Sequence, residues 1–325
     1  MAPLSGLPNL TRLMLINTQL NSLKTFSGFA SLTELYLWNS HLDDLSSLSN
    51  LPNLTKLSLE NSIYDQASDL SSLSNLANFT ELSLFNVNIT ELNAFADLTD
   101  LTYLRLAFSR FEDLTLVSNL TNLTSLVLYG NQIYALTPLS TLINLTELNL
   151  AGNGLSDLTP LSSLTSLKEL QLHYNQISDL APLSSLSNLT NLSLSSNQII
   201  NLAPLAKLTN LAYLSIGSNR ISDLTPIADL TDMTGLWVNN NRIYDLTPLT
   251  SMTNLTTLNL WNNQISDLSP ISSLVNLTEL GLSSNQISDL MPLSKLKALK
   301  ELELRNNPIT DWSPVDHVEN VFGRP

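Results

Sequence analysis

Leucines alternate with other residues, mostly polar, in short bursts along this chain, as in Leu148-Asn149-Leu150, and most bursts run on to a polar anchor. Alternation with a period of two is the mark of a strand with one buried face. The burst from Leu126 to Ile133 recurs in one frame. An Asn sits at positions 131, 153, 175, 197, 219, 241, 263, 285 and 307, at a constant spacing. The unit is L-T-x-L-x-L-x-x-N-x-I-x-D-L-x-P-L-x-x-L-x-N. Backwards along the chain the apolar frame continues while the anchor changes to Ser109, Val87, Ser62, Ser40 and Thr18. The step from 62 to 87 is longer than its neighbours by three, which places the extra residues between Tyr64 and Ser72. Fourteen repeats result.

A strand this short, followed by a return of fixed length, predicts a parallel strand in every repeat. The chain then winds as a right-handed coil whose leucines fill one continuous core. The fold class expected is an α/β-type repeat solenoid, with a curved parallel sheet on the concave face and 3₁₀ or extended segments on the convex face. A single domain over 1–325 follows: a half-repeat at 1–9, repeats at 10–321 and an end at 322–325.

The anchor sits where the strand turns into the core. Backbone groups left unpaired there cost roughly 1–3 kcal/mol each, and an amide side chain both donates and accepts. Stacked Asn residues can therefore serve the turns above and below. Ser or Thr does part of this and Val87 none, so repeats one to five are expected to be less regular and less stable. In the first four an Asn precedes the anchor: Asn17, Asn39, Asn61 and Asn86.

Two more columns follow. Pro recurs from 138 to 314, and Asp157, Asp179, Asp223, Asp245, Asp267, Asp289 and Asp311 lie three residues before a Pro. Asp there caps free N–H groups and Pro needs no donor. A column of carboxylates about 5 Å apart is also a conceivable Ca²⁺ site, but one ligand per repeat argues for capping and against metal. The N-L-T tripeptides at Asn53, Asn122, Asn144, Asn188, Asn254 and Asn276 match a glycosylation pattern that the repeat itself explains.

The N-Q-I-S-D-L-x-P-L-S-S-L-T-N-L unit resembles the 22-residue repeats of the internalin family, bacterial surface proteins built from leucine-rich repeats. The resemblance covers residues 10–321. It implies an exported protein at the cell surface or outside the cell that binds a host or surface protein through its concave face.

Composition narrows the chemistry. The net charge of −14 disfavours nucleic acid and anionic lipid. With no Cys, disulfides, thiolate metal sites and cysteine nucleophiles are excluded. No apolar run approaches the ~18 residues of a membrane span. Met1 to Ser5 have neither the basic region nor the apolar core of a signal peptide. His41, His173 and His317 are dispersed, and no phosphate loop, nucleophile elbow or metal-spaced set is present. No enzyme activity and no cofactor are expected.

The outward strand positions lie six, four, two and one residues before the anchor, and the fold does not dictate them. They hold Tyr36, Trp38, Phe85, Tyr103, Phe108 and Tyr129 in repeats two to six, and His173, Tyr174, Tyr213, Trp237 and Trp261 in repeats eight to twelve. Aromatics on a solvated face gain little for the fold and are favoured at binding hot spots, although cross-strand stacking could also retain them. Trp237, Trp261 and Tyr213 are expected to form one patch, Tyr36 and Trp38 another. The partner expected is a protein. A glycan stacked on the same rings, or self-association through uncapped solenoid ends into a fibre or layer, are the alternatives. At the far end Phe322 is expected to fold over the core.

Overall fold

The computed structural model describes residues 7–20, 26, 28–42, 48, 50–61, 78–87, 95 and 97–324. The three-residue insertion expected between Tyr64 and Ser72 and the start of the half-repeat lie outside them. Two compact units divide the chain, Met1–Gly154 and Leu155–Pro325.

In the first unit the strands are β1 (Arg12–Ile16), β2 (Gln19–Leu20), β3 (Glu34–Trp38), β4 (His41–Leu42), β5 (Lys56–Glu60), β6 (Glu81–Phe85), β7 (Tyr103–Ala107), β8 (Ser125–Val127) and β9 (Glu147–Asn149). A parallel sheet runs in the order β1-β3-β5-β6-β7-β8-β9, and β2 pairs with β4 in a second, two-stranded sheet. In the second unit β10 (Glu169–Gln171), β11 (Asn191–Ser193), β12 (Tyr213–Ser215), β13 (Gly235–Trp237), β14 (Thr257–Asn259), β15 (Glu279–Gly281), β16 (Glu301–Glu303) and β17 (Asn320–Phe322) form a parallel sheet in chain order.

Leucine faces leucine at each step, as in Leu126 against Leu148 and Leu214 against Leu236. β5 and β6 keep that register across the longer spacing, with Leu57 against Leu82. A slip of one residue would turn every leucine of a strand into water, so extra length is accommodated outside the strands. Opposite the sheet, the 3₁₀ turns Thr115–Asn119 and Thr137–Thr141 occur in the first unit and eight more in the second, from Thr159–Ser163 to Ser313–Val315. The leucines between the two sides are buried, joined in the first unit by Phe26, Phe29, Phe79 and Phe95.

The anchor column works as its chemistry requires. Asn131 Nδ2 donates to the oxygens of Leu106 (2.6 Å) and Leu128 (2.9 Å), and its Oδ1 accepts from the N–H groups of Ser109 and Phe111. Where Ser replaces Asn less is satisfied: Ser109 Oγ donates to the Ala107 oxygen and accepts from the Val87 N–H at 3.4 Å. The early repeats differ in one way the pattern did not suggest. Their main-sheet strands are five residues long and the Asn-anchored ones three. An anchor amide takes up the strand-end carbonyl, as Asn131 and Asn153 both do with the Leu128 oxygen, although single backbone bonds continue beyond it, as from the Gly130 N–H to the Ala151 oxygen at 2.9 Å.

The Asn preceding the anchor in the early repeats does not stand in for it. Asn17, Asn39, Asn61 and Asn86 have φ near +50°, as does the residue at this place in the later repeats. The column is a left-handed turn position, which Asn tolerates better than most residues. Its amides also ladder: Asn86 Nδ2 donates to Asn61 Oδ1 and Asn262 Nδ2 to Asn240 Oδ1, both at 2.7 Å.

At the far end Val315 and Val318 close the core. Phe322 does not fold over it. This ring belongs to β17, is 40% exposed, and lies under the Arg305 guanidinium at 5.4 Å. Its place opposite Glu303 in the register puts it on the solvent face.

Candidate binding face

None of the eleven aromatic and imidazole residues picked out above belongs to the core. In the first unit they form two groups. Tyr36 on β3 lies under the Arg12 guanidinium at 4.9 Å, and its hydroxyl donates to Glu34 Oε2 at 3.2 Å. Burial, then that bond, raises the Tyr36 hydroxyl above its usual range. Trp38, two residues on, is half-buried, and its indole N–H has no hydrogen-bond partner among the described residues.

The second group is tighter. Phe108 meets Tyr129 edge-on with centroids 4.9 Å apart and Phe85 edge-on at 5.5 Å; Phe85 and Tyr129 are 6.4 Å apart. The Arg105 guanidinium lies 4.8 Å from the Phe85 ring and 5.9 Å from the Tyr129 ring, while Nη1 pairs with Glu60 Oε1 at 3.1 Å. Such edge-to-face and cation–π geometries follow from the negative face of an aromatic ring. Tyr103 occupies the same β7 strand, its hydroxyl raised mainly by burial. Gly130 makes the close packing possible, because a Cβ there would stand 2.6 Å from the Phe108 ring.

Phe108 and Tyr174 carry a feature absent from the sequence reading. Both occupy the left-handed column, with φ of +52° and +57°, where the other repeats place Asn, Ser or Gly. A bulky side chain is disfavoured there, and the exposures of 49% and 68% give no burial in return. The signal was present in the column's Asn, Ser and Gly preference.

In the second unit His173 and Tyr174 meet edge-on at 5.5 Å, and Ser193 Oγ lies 3.2 Å from His173 Nδ1. Burial lowers the His173 pKa. Tyr213 and Trp237 lie with centroids 6.4 Å apart and planes 22° from parallel, beside a groove lined by Glu169, Gln171, Asn191, Ser193 and Ser215. Trp261, half-exposed, makes no ring contact with Trp237. The patch expected from three residues is a pair, because Trp237 leans toward Tyr213 across Gly235.

The Asp column caps. Oδ1 of Asp157, Asp179, Asp223, Asp245, Asp267, Asp289 and Asp311 accepts the N–H two residues on at 2.8–3.0 Å, and Asp113 does the same. Among the described residues no group of His, Asp or Glu side chains could hold a metal. The six N-L-T Asn residues named above are also committed: Nδ2 of each donates to a backbone oxygen of the preceding repeat, as Asn53 does to Ala30 and Asn254 to Thr231. No helix among the described residues is long and apolar enough to cross a membrane.

This architecture, with its asparagine anchors, is that of the leucine-rich-repeat family, to which the chain belongs. The model for leucine-rich repeats (two copies) matches residues 121–163, 143–185, 187–229, 231–274 and 275–317, so the matches begin just before the anchor becomes Asn. More particularly, the repeats are of the internalin type. An internalin of Listeria monocytogenes, InlF, is 33% identical over 98% of this chain and 88% of its own, with a TM-score of 0.77. A second Listeria internalin, InlC2, is 41% identical over 66% of this chain and 84% of its own, with a TM-score of 0.54. A leucine-rich-repeat protein of Leptospira interrogans is 28% identical over 98% and 85%, with a TM-score of 0.90. No curated protein matched the sequence. Leucine-rich-repeat proteins generally act by binding other proteins.

Proposed function

We propose that this chain is a non-enzymatic binding module of a bacterial surface or secreted protein, taking a protein partner on the solvent face of its sheet. The observation that carries this is the Phe85, Phe108 and Tyr129 cluster with Arg105. Aromatics and arginine are the side chains most enriched at interface hot spots. Here they gather on β6, β7 and the residues just after β7 and β8, on positions that the fold leaves free, and Phe108 keeps an unfavourable backbone conformation that Asn or Gly would relieve. The internalin resemblance supports an extracellular place for the module.

The test is an array of purified cell-surface ectodomains, probed with the full chain and with a Phe108→Asn/Tyr129→Ser variant. The expected result is an ectodomain bound with at least tenfold loss in the variant and no change in far-ultraviolet circular dichroism. Equal binding by the two proteins would reject the cluster as the hot spot.

A further inference from the structure

The two aromatic groups differ in what already covers their rings. In the first unit Phe85, Phe108 and Tyr129 pack edge-on, and the Arg105 guanidinium lies over two of them. In the second unit no guanidinium among the described residues lies over Tyr213 or Trp237. With centroids 6.4 Å apart and planes within 22° of parallel, the two rings stack with a large lateral offset, not as a face-to-face sandwich.

Gly235 explains how. It faces Tyr213 in the register of β12 and β13. A Cβ on it would stand 2.6 Å from Trp237 Cη2 and 3.0 Å from Tyr213 Cδ1. Side chains project perpendicular to a sheet, so the Trp237 ring lies down over the bare Cα of Gly235. The pair forms a low apolar platform.

The groove beside it has a volume of about 160 Å³. Pockets for whole drug-sized ligands start at roughly 300 Å³, so this one suits a single ring. Its polar lining mixes donors and acceptors. Glu169 brings a carboxylate. Asn191 accepts from Thr190 Oγ1 at 2.8 Å through Oδ1, which leaves its amide N–H donors for a ligand. The two lining hydroxyls are held in place, Ser215 Oγ by Ser195 Oγ at 2.7 Å and Ser193 Oγ by His173 Nδ1 at 3.2 Å.

A flat apolar surface beside amide and hydroxyl groups and one carboxylate matches a ring that has C–H groups on one face and hydroxyls around its rim. We propose that Tyr213, Trp237, Glu169, Asn191, Ser193 and Ser215 bind one pyranose ring of a neutral glycan. A cationic side chain fits less well. It would stack on the rings, but a single carboxylate, Glu169, lines the groove to offset its desolvation. The inference rests on the reading of the strand face as a binding face, yet its test needs no protein partner.

The experiment is saturation-transfer NMR on the full chain with millimolar methyl β-D-glucopyranoside, methyl β-D-galactopyranoside and N,N′-diacetylchitobiose. Transfer to the ring C–H protons of at least one sugar is expected. Trp237→Ala should weaken that sugar at least tenfold. Gly235→Val, which keeps the indole but lifts it, should do likewise, and Trp261→Ala should change nothing. Circular dichroism of each variant checks the fold. No transfer from any of the three sugars, or transfer undiminished in both Trp237→Ala and Gly235→Val, would overturn the proposal. A triarginine peptide that quenches Trp237 fluorescence while the sugars give no transfer would also overturn it and assign the platform to a cation. Any of these failures leaves the first-unit cluster and its ectodomain test standing.

Discussion

The Asn285 side chain donates from Nδ2 to the Leu260 oxygen at 3.0 Å, a bond between residues 25 positions apart. The same amide donates to the Leu282 oxygen and accepts the Ile265 N–H, both at 3.0 Å. One buried side chain thus completes the turns of two successive repeats.

Replacing Asn285 with Ala takes the partner from the Ile265 N–H, while Asn263 and Asn307 still donate to the Leu260 and Leu282 oxygens. At roughly 1–3 kcal/mol for a buried group left unpaired, the loss should be about 2 kcal/mol. Asn285→Ser should lose about half of that, because a hydroxyl keeps part of the bonding, as Ser109 does. Urea unfolding measures both. A loss below about 1 kcal/mol for Asn285→Ala would contradict the anchor's role.

Tyr174→Asn should stabilise the protein. Tyr174 is 68% exposed with φ of +57°, and a left-handed conformation costs an L-residue roughly 1–2 kcal/mol, less for Asn. A gain of about 1 kcal/mol in thermal or urea unfolding is expected. A neutral or destabilising result would mean that the His173 contact outweighs the backbone strain.

Gly130 and Gly152 share the left-handed conformation, with φ of +71° and +65°, but not the surroundings. A Cβ on Gly152 would meet nothing closer than 3.7 Å, while one on Gly130 would enter the Phe108 ring. Gly152→Ala should therefore lose about 1 kcal/mol from the backbone alone. Gly130→Ala should lose about 1 kcal/mol more and shift the ring resonances of Phe108 and Tyr129. Equal losses would show that the ring moves away freely.

The Asp column sets the acid limit. Hydrogen bonds from Thr225, Thr247 and Ser269 hold Asp223, Asp245 and Asp267 below the ordinary 3.8. A carboxyl depressed on folding contributes stability that is complete above its unfolded pKa and lost as pH falls through the folded one. Melting temperature should hold as pH falls toward about 4 and then decline. Asn keeps the capping oxygen without titrating, as Asn201 does toward the Ala203 N–H at 2.9 Å. Asp245→Asn with Asp267→Asn should therefore flatten the acid limb in a melting series from pH 7 to 2.

Much of this molecule was legible as period. The constant repeat spacing determined parallel strands, the leucine core, the anchor role of Asn131 and its successors, and the capping role of the Asp column, because each follows from local chemistry repeated in register. The outward placement of the aromatics followed as well, since alternation leaves them no other side. Tertiary structure decided how neighbours on that face lean. Trp237 turns to Tyr213 because Gly235 leaves space, and Phe108 reaches Tyr129 because Gly130 does. It also placed Phe322 on the sheet beneath Arg305 instead of over the core. Strand length and the left-handed column were decided there too, and the column is present whether the anchor that follows it is Thr, Ser, Val or Asn. A repeat pattern states where a side chain starts; the void beside it determines where the ring comes to rest.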